Sequence, residues 1–244
     1  MKINISIILC YNLNIMKIAI IGANGFVGKN IVNVLKKKHK IIKISKETKF
    51  EKLRSKFDVI IHSANSSKKY EATKYPSRDF KNSVKLTKKI IDYFGDKKIV
   101  LISTISVNDK KNIYSINRKL CENLVLKKNK NNIIFRLSVL FNYKLKRGIL
   151  YDLIKNNKIF LNKNTLINPI TIEEVAKYIL DNIKSKKRIH EIGSIEKFTL
   201  NFLRKTLGSK SKFGNTNLNL VSRKSKLNKF TSKKLIGQLK KQIN

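Results

Sequence analysis

The chain has 244 residues, enough to bury most of its apolar surface in one medium domain with a small lobe attached. With 41% hydrophobic and 29% charged residues it is not a disordered chain, and no apolar run approaches the ~20 residues of a membrane span. Two cysteines, Cys10 and Cys121, and three scattered histidines, His39, His62 and His190, exclude a disulfide framework and a short-spaced zinc motif, and fit a reducing cytoplasm.

Residues 1–15 are mildly apolar but carry neither the basic start nor the small-residue cleavage pattern of a secretory signal, and Met16-Lys17 reads like a second start. They are expected to be an extension outside the fold. Lys17–Ile21 is a short β-branched run, hence a buried strand, and it leads directly into Gly22-Ala23-Asn24-Gly25-Phe26-Val27-Gly28. A helix follows through Ile31, Val32 and Leu35 to about Lys38. Ile41–Ile44, Asp58–His62, Ile99–Ser103 and Ile133–Leu137 read as further strands. Helices are predicted between them at Phe80–Phe94 and Tyr114–Lys128. Strands alternating with helices give an α/β class: a Rossmann-type, doubly wound parallel sheet with helices on both faces.

After about Leu140 the rhythm loosens. Short helices are predicted at Ile149–Asn156 and Thr199–Leu207. Another opens at Thr171, where Glu174 completes a capping box, and runs to about Lys184. Arg188–Ile192 reads as a strand, 208–228 as loop, and Phe230–Leu239 as a weak last helix. The predicted organisation is therefore an extension at 1–15, a nucleotide-binding domain at 16–140, and a small C-terminal substrate lobe at 141–244 that interleaves with the sheet at about 168–192.

The charge is unusual: 55 Lys and Arg against 15 Asp and Glu give a net charge of +40. Such a surface suits a polyanion. However, 47 of the basic residues are Lys, spread along the whole chain with no dense arm, whereas nucleic-acid sites favour Arg at base edges and aromatic stacking. The charge is read as compositional, with no specific nucleic-acid partner expected.

Gly22-x-x-Gly25-x-x-Gly28 sits where a strand turns into a helix. Gly22 permits a tight turn, Gly25 close approach of a pyrophosphate, and Gly28 close packing of helix on strand. The helix N-terminus adds free N–H groups for phosphate. A dinucleotide is therefore expected at residues 22–28. The second strand ends in Ile44-Ser45-Lys46, with no acid before Glu47. A hydroxyl and a cation suit a 2′-phosphate, so NADP is expected, with NAD as the alternative.

These features, with later segments, resemble the NAD(P)-dependent epimerase/dehydratase family, extended short-chain dehydrogenases that act mostly on nucleotide sugars. FDVIIHSAN (57–65) resembles the strand ending beside the cofactor, which implies contacts from Ser63, Ala64 and Asn65, and Asn82 matches an Asn usual in the next helix. VLISTISV (100–107) resembles the strand carrying the catalytic Ser/Thr, and Tyr114-Ser115-Ile116-Asn117-Arg118 stands where the family has Tyr-x-x-x-Lys. FRLSVL (135–140), NPITIEEVAKYIL (168–180) and EIGSIEKFTL (191–200) continue the likeness. The resemblance implies Tyr114 as acid/base. It implies Thr104 bound to the same substrate oxygen, with Ser103 and Ser106 as weaker substitutes. Arg118 takes the place of the lysine that supplies charge and holds the nicotinamide ribose. His62 would pack beside the cofactor rather than do chemistry.

Thr104 is followed by Ile105 and Ser106, where the family's dehydratases have acidic residues, so the resemblance argues against a dehydratase. Only about a dozen residues separate Ser45 from the strand at Asp58. That trimming is more like reductases of nucleotide-linked keto sugars than like epimerases. The resemblance thus implies a cytoplasmic NAD(P)H-dependent reductase with a nucleotide-sugar substrate, serving polysaccharide biosynthesis. An epimerase is the alternative within the class, and a non-catalytic dinucleotide sensor or polyanion-binding relative the alternative outside it. A homodimer through the helices at 80–94 and 114–128 is common in the family.

Overall fold

The computed structural model describes residues 15–45, 47–53, 57–109, 111–142, 146–218, 220–222 and 232–241. Residues 1–14, with Cys10, and Lys46 lie outside them. In chain order the elements are β1 (Lys17–Ile21), α1 (Phe26–Leu35), β2 (Lys40–Ile44), β3 (Val59–His62), α2 (Lys69–Lys74), α3 (Pro76–Phe80), α4 (Leu86–Phe94), β4 (Lys98–Thr104), α5 (Ile113–Lys128), β5 (Ile133–Leu137) and β6 (Leu140–Phe141). Then come α6 (Ile149–Ile154), β7 (Ile159–Leu161), β8 (Leu166–Ile167), β9 (Ile170–Thr171), α7 (Ile172–Asn182), β10 (Ile189–Ile192), β11 (Phe198–Thr199), α8 (Leu200–Thr206), β12 (Phe213–Thr216) and α9 (Ser232–Lys240).

The six longest-range strands form one parallel sheet in the order β2-β1-β3-β4-β5-β10. Their near-continuous apolar runs fit burial on both faces. One face carries α1 and α7: Ile31, Val32, Leu35, Val175, Ala176 and Ile179 pack with Ile18, Ile20, Ile61 and Phe135. The other carries α4 and α5: Ile90, Phe94, Cys121 and Val125 pack with Ala19, Ile60, Leu101 and Ile134. Alternate residues of β1 thus feed opposite cores, as the period of 2 requires. A third cluster, around Phe141, Leu150, Leu153, Ile167, Leu200, Leu203 and Leu235, gathers the C-terminal elements into a lobe.

The strand order reverses between β1 and β3. In a doubly wound sheet this is where the crevice for a ligand opens, beyond the carboxyl ends of the strands. The register brings Ile21 beside both Ile44 and His62, so the three chain segments that leave these strands emerge at one edge.

The helical stretch expected at Phe80–Phe94 starts earlier, at Pro76, and passes through a π-turn at Lys81–Lys85 before α4. Pro76 occupies the first helical position, where its missing N–H costs nothing. Residues 208–228, read as loop, include β12, which pairs with β7. Thr171 caps α7 as expected: the Glu174 amide donates to Thr171 Oγ1 at 3.2 Å, while Glu174 Oε2 accepts from that hydroxyl at 3.1 Å rather than from the Thr171 amide of a full capping box. Among the described residues no helix is long and apolar enough to cross a membrane.

Candidate functional site

The glycine turn is built by contact, not by composition. Gly22 has φ +85°, a left-handed conformation that side chains resist, and the Gly25 amide donates to its carbonyl at 3.0 Å. A Cβ at Gly22 would stand 2.7 Å from the Ala64 nitrogen, and one at Gly28 would stand 2.1 Å from the Gly22 oxygen. Gly25 caps α1 with no side-chain acceptor, and the first turn carries no acidic residue. The first amides of α1 therefore have no partner from a cap and suit an anion. Ala23 is buried, Asn24 and Phe26 are exposed, and Val27 packs partly against the core.

The loop after β3 faces this turn. Ser63 donates to the Ile21 carbonyl at 2.9 Å, and Ala64 packs on Gly22. Next comes Asn65, whose amide oxygen and nitrogen are both buried and have no hydrogen-bond partner among the described residues. Buried polar atoms are almost always satisfied, so this orphaned amide, beside a cradle with no room for a Cβ, fits a polar ligand such as a dinucleotide. Ser66 follows, and its carbonyl accepts from Arg118 Nη2 at 3.0 Å.

Tyr114 and Arg118 are one turn apart on α5. Asn112 caps that helix by accepting from the Tyr114 amide at 2.9 Å, which fixes the tyrosine in the first turn. The Arg118 guanidinium carbon lies 4.6 Å from the Tyr114 ring centroid. Both side chains are buried. Arg118 Nη2 also donates to Asp79 Oδ1 at 2.8 Å, while Asn117 donates to Asp79 Oδ2 at 2.9 Å. Among the described residues Nε and Nη1 of Arg118 have no hydrogen-bond partner. Lys69 Nζ lies 5.9 Å from the same ring. Burial pushes the Tyr114 phenol above its usual value; the Arg118 charge opposes this and the Asp79 carboxylate adds to it. Burial lowers the Lys69 ammonium, against the pull of Asp109.

Thr104 ends β4, the strand on which α5 packs. Its hydroxyl accepts from the Ser106 amide at 3.2 Å and donates to Ser106 Oγ at 3.3 Å. Ser103 points elsewhere: it donates to the buried Glu122 at 2.7 Å, in a network where Arg136 grips the same carboxylate twice, at 2.9 and 2.7 Å. His62 is fully buried against Thr87 Oγ1 at 3.0 Å, and burial with the nearby Arg118 charge lowers it to about 3. It is therefore a neutral packing group. Asn82 faces solvent on the π-turn, and its neighbour Ser83 points inward instead. Ser45 is exposed, and its hydroxyl is within 3.2 Å of Thr48 Oγ1.

The sequence reading missed Asp79, Asn117, Lys69 and Ser66.

Residues 18–119 match the family model of the NAD dependent epimerase/dehydratase family. That segment runs from β1 to Lys119, and so contains the glycine turn, Asn65, Asp79, Thr104, Tyr114 and Arg118. No curated protein matches the chain. Among solved structures, the UDP-glucuronic acid 4-epimerase from Bacillus cereus in complex with UDP-glucuronic acid and NAD is 14% identical, with 93% of this chain and 99% of that chain covered and a TM-score of 0.77. The UDP-N-acetylglucosamine 4-epimerase from Methanobrevibacter ruminantium M1 is 14% identical over 94% and 97%, with a TM-score of 0.74. The dTDP-4-dehydrorhamnose reductase from Bacillus anthracis in complex with NADP is 16% identical over 93% and 97%, with a TM-score of 0.68. At these identities the likeness is one of fold: the Rossmann-type sheet and its lobe.

Proposed function

We propose that the chain is an NAD(P)H-dependent reductase of a nucleotide-linked keto sugar. The observation that supports it most is the short bridge Ala64-Asn65-Ser66. It packs on the glycine turn at one end and accepts from Arg118 at the other. The same three residues thus touch both the glycine turn and the guanidinium beside Tyr114.

In this reading Gly22, Ala23, Asn24, Gly25, Phe26, Val27 and Gly28 would receive the pyrophosphate on backbone amides. Ser63, Ala64 and Asn65 would line the cofactor, and Ser45, with Lys46, would meet a 2′-phosphate. Bound NAD(P)H would supply the hydride that reduces the keto carbon. Tyr114 would donate its phenolic proton to the keto oxygen as that carbon becomes a carbinol. The resulting phenolate would be stabilised by the Arg118 guanidinium and then take a proton from water. The raised phenol suits a group that must hold its proton until the carbonyl is reduced. Thr104 would orient the same oxygen, which requires its hydroxyl to turn from Ser106 to the substrate. Arg118 Nε or Nη1, free in the unliganded chain, would take a ribose hydroxyl.

An NAD-dependent nucleotide-sugar epimerase is the second reading. It is favoured by the contact of Ser45 with Thr48, which engages the hydroxyl a 2′-phosphate would need. One assay separates the two. Incubation with UDP- and dTDP-linked 4-keto sugars should consume NAD(P)H in proportion to product if the chain is a reductase, and Tyr114→Phe should lose the activity at least a hundredfold. Interconversion of sugars without net cofactor consumption would make it an epimerase. Equal behaviour of Tyr114→Phe and the unaltered chain would overturn both.

A further inference from the structure

We infer that Asp79 is a positioning residue for Arg118: it holds one nitrogen of the guanidinium and offsets part of its charge, so that an arginine can serve beside Tyr114 where the family has a lysine. This rests on the reading of Tyr114 as the acid.

The geometry is specific. Asp79 comes from α3, a helix outside the Tyr-x-x-x-Arg segment, and is 5% exposed. Its two oxygens are shared out: Oδ1 takes Arg118 Nη2 at 2.8 Å and Oδ2 takes Asn117 Nδ2 at 2.9 Å. Asn117 and Arg118 are adjacent on α5, so one carboxylate grips two consecutive side chains. Ser66 holds the same Nη2 from the other side at 3.0 Å. The guanidinium is thus fixed through one nitrogen, and Nε and Nη1 are left over. Two acceptors on that one nitrogen, a carboxylate oxygen and a carbonyl oxygen, hold the end of the long arginine side chain beside Tyr114.

The carboxylate also has an electrostatic consequence. A fixed cation 4.6 Å from the Tyr114 ring, with no counter-charge, would draw the phenol toward phenolate. Asp79 opposes that pull, and burial acts in the same direction. The charged groups facing the pair are Arg118 itself on α5, Asp79 on α3 and Lys69 on α2, with Asp109 acting on Lys69. His62 on β3 feels the Arg118 charge but is neutral, and so is the buried Cys121 thiol, which burial pushes up.

The test uses the unliganded full chain with a fluorinated tyrosine incorporated throughout. The Tyr114 resonance is assigned with Tyr114→Phe and its ionisation is followed by fluorine NMR. Asp79→Asn keeps the shape and removes the charge. Its Tyr114 midpoint is expected about one pH unit below that of the unaltered chain. A folded Asp79→Asn variant with an unmoved midpoint would overturn the proposal.

Should that variant fold poorly, Arg118→Gln is compared with Asp79→Asn/Arg118→Gln, which leaves no unpaired charge. Losing the cation raises the midpoint in both, and the rise must be smaller in the double variant; equal rises overturn the proposal. NADPH binding to the unaltered chain is measured separately. Its absence would count against the functional reading, while the titration would still decide the role of Asp79.

Discussion

Two alanines in the glycine turn should have opposite consequences. Gly28 lies inside α1, and a Cβ there would meet the Gly22 carbonyl oxygen at 2.1 Å and Ser63 Oγ at 2.8 Å. Backbone cannot step aside as a side chain can, because Gly22 is itself wedged against Ala64 and α1 is held by Ile31, Val32 and Leu35. Overpacking of this kind costs about 3 kcal/mol, at the top of its usual range. Alanine recovers about 1 kcal/mol through its better helix propensity. A net loss of about 2 kcal/mol should lower Tm by roughly 4–8 °C in a chain of this size. Gly25 is different. It has φ −71°, and a Cβ would find only the Gly22 oxygen, at 3.3 Å. Gly25→Ala should change stability by less than about 0.5 kcal/mol. Its methyl would fill the approach to the α1 amides, so NAD(P)H affinity should fall at least about tenfold, or about 1.4 kcal/mol. Calorimetry and a fluorescence titration with NADPH read both. Gly28→Ala melting with the unaltered chain, or Gly25→Ala as destabilised as Gly28→Ala, would refute the packing argument.

Other outcomes follow from buried polar groups. Glu122→Ala strips Arg136 of the carboxylate it grips twice and leaves it only the Glu191 contact at 3.2 Å, so urea unfolding should show a loss of about 3 kcal/mol, the low end for breaking a buried pair. His62 sits at about 3 in the folded chain against 6.5 for the free side chain. Its neutral form therefore contributes stability that is complete above about pH 6.5 and is lost progressively as the pH falls toward 3. Urea midpoints should fall over that window, and less steeply in His62→Gln. Burial raises the Cys121 thiol, so a Cys10→Ser variant should resist thiol reagents when native and react once unfolded; rapid native labelling would contradict this.

The sheet was legible because each of its strands is a compact β-branched run bounded by turns or helix signals, and because the glycines fall between the first strand and the first helix. Tyr114 and Arg118 were singled out by the family resemblance, and their spacing of four on a helix agrees with the shared face on which the structure places them. Asp79 was not. Its partners lie 38 and 39 residues away, and the pairing depends on how α3 packs against α5, which no local pattern encodes. The two short helices before α4 were missed for a related reason: Lys69–Lys74 and Pro76–Phe80 are polar and too brief to show periodicity. Asn82 and Ser45 show the opposite case. Asn82 was expected from the family pattern and Ser45 from the end of the second strand; the first faces solvent and the second lies within 3.2 Å of Thr48 Oγ1.

The most direct test of the account is thermal unfolding with NADPH, NADP, NADH and NAD in turn, at physiological salt. Saturation at 100 times the dissociation constant should add about 2.7 kcal/mol, a rise in Tm of roughly 5 °C or more. The account predicts that rise with the phosphorylated pair in particular. No rise with any of the four would contradict the assignment of the glycine turn, Asn65 and Arg118 to a dinucleotide, and with it the proposed reductase.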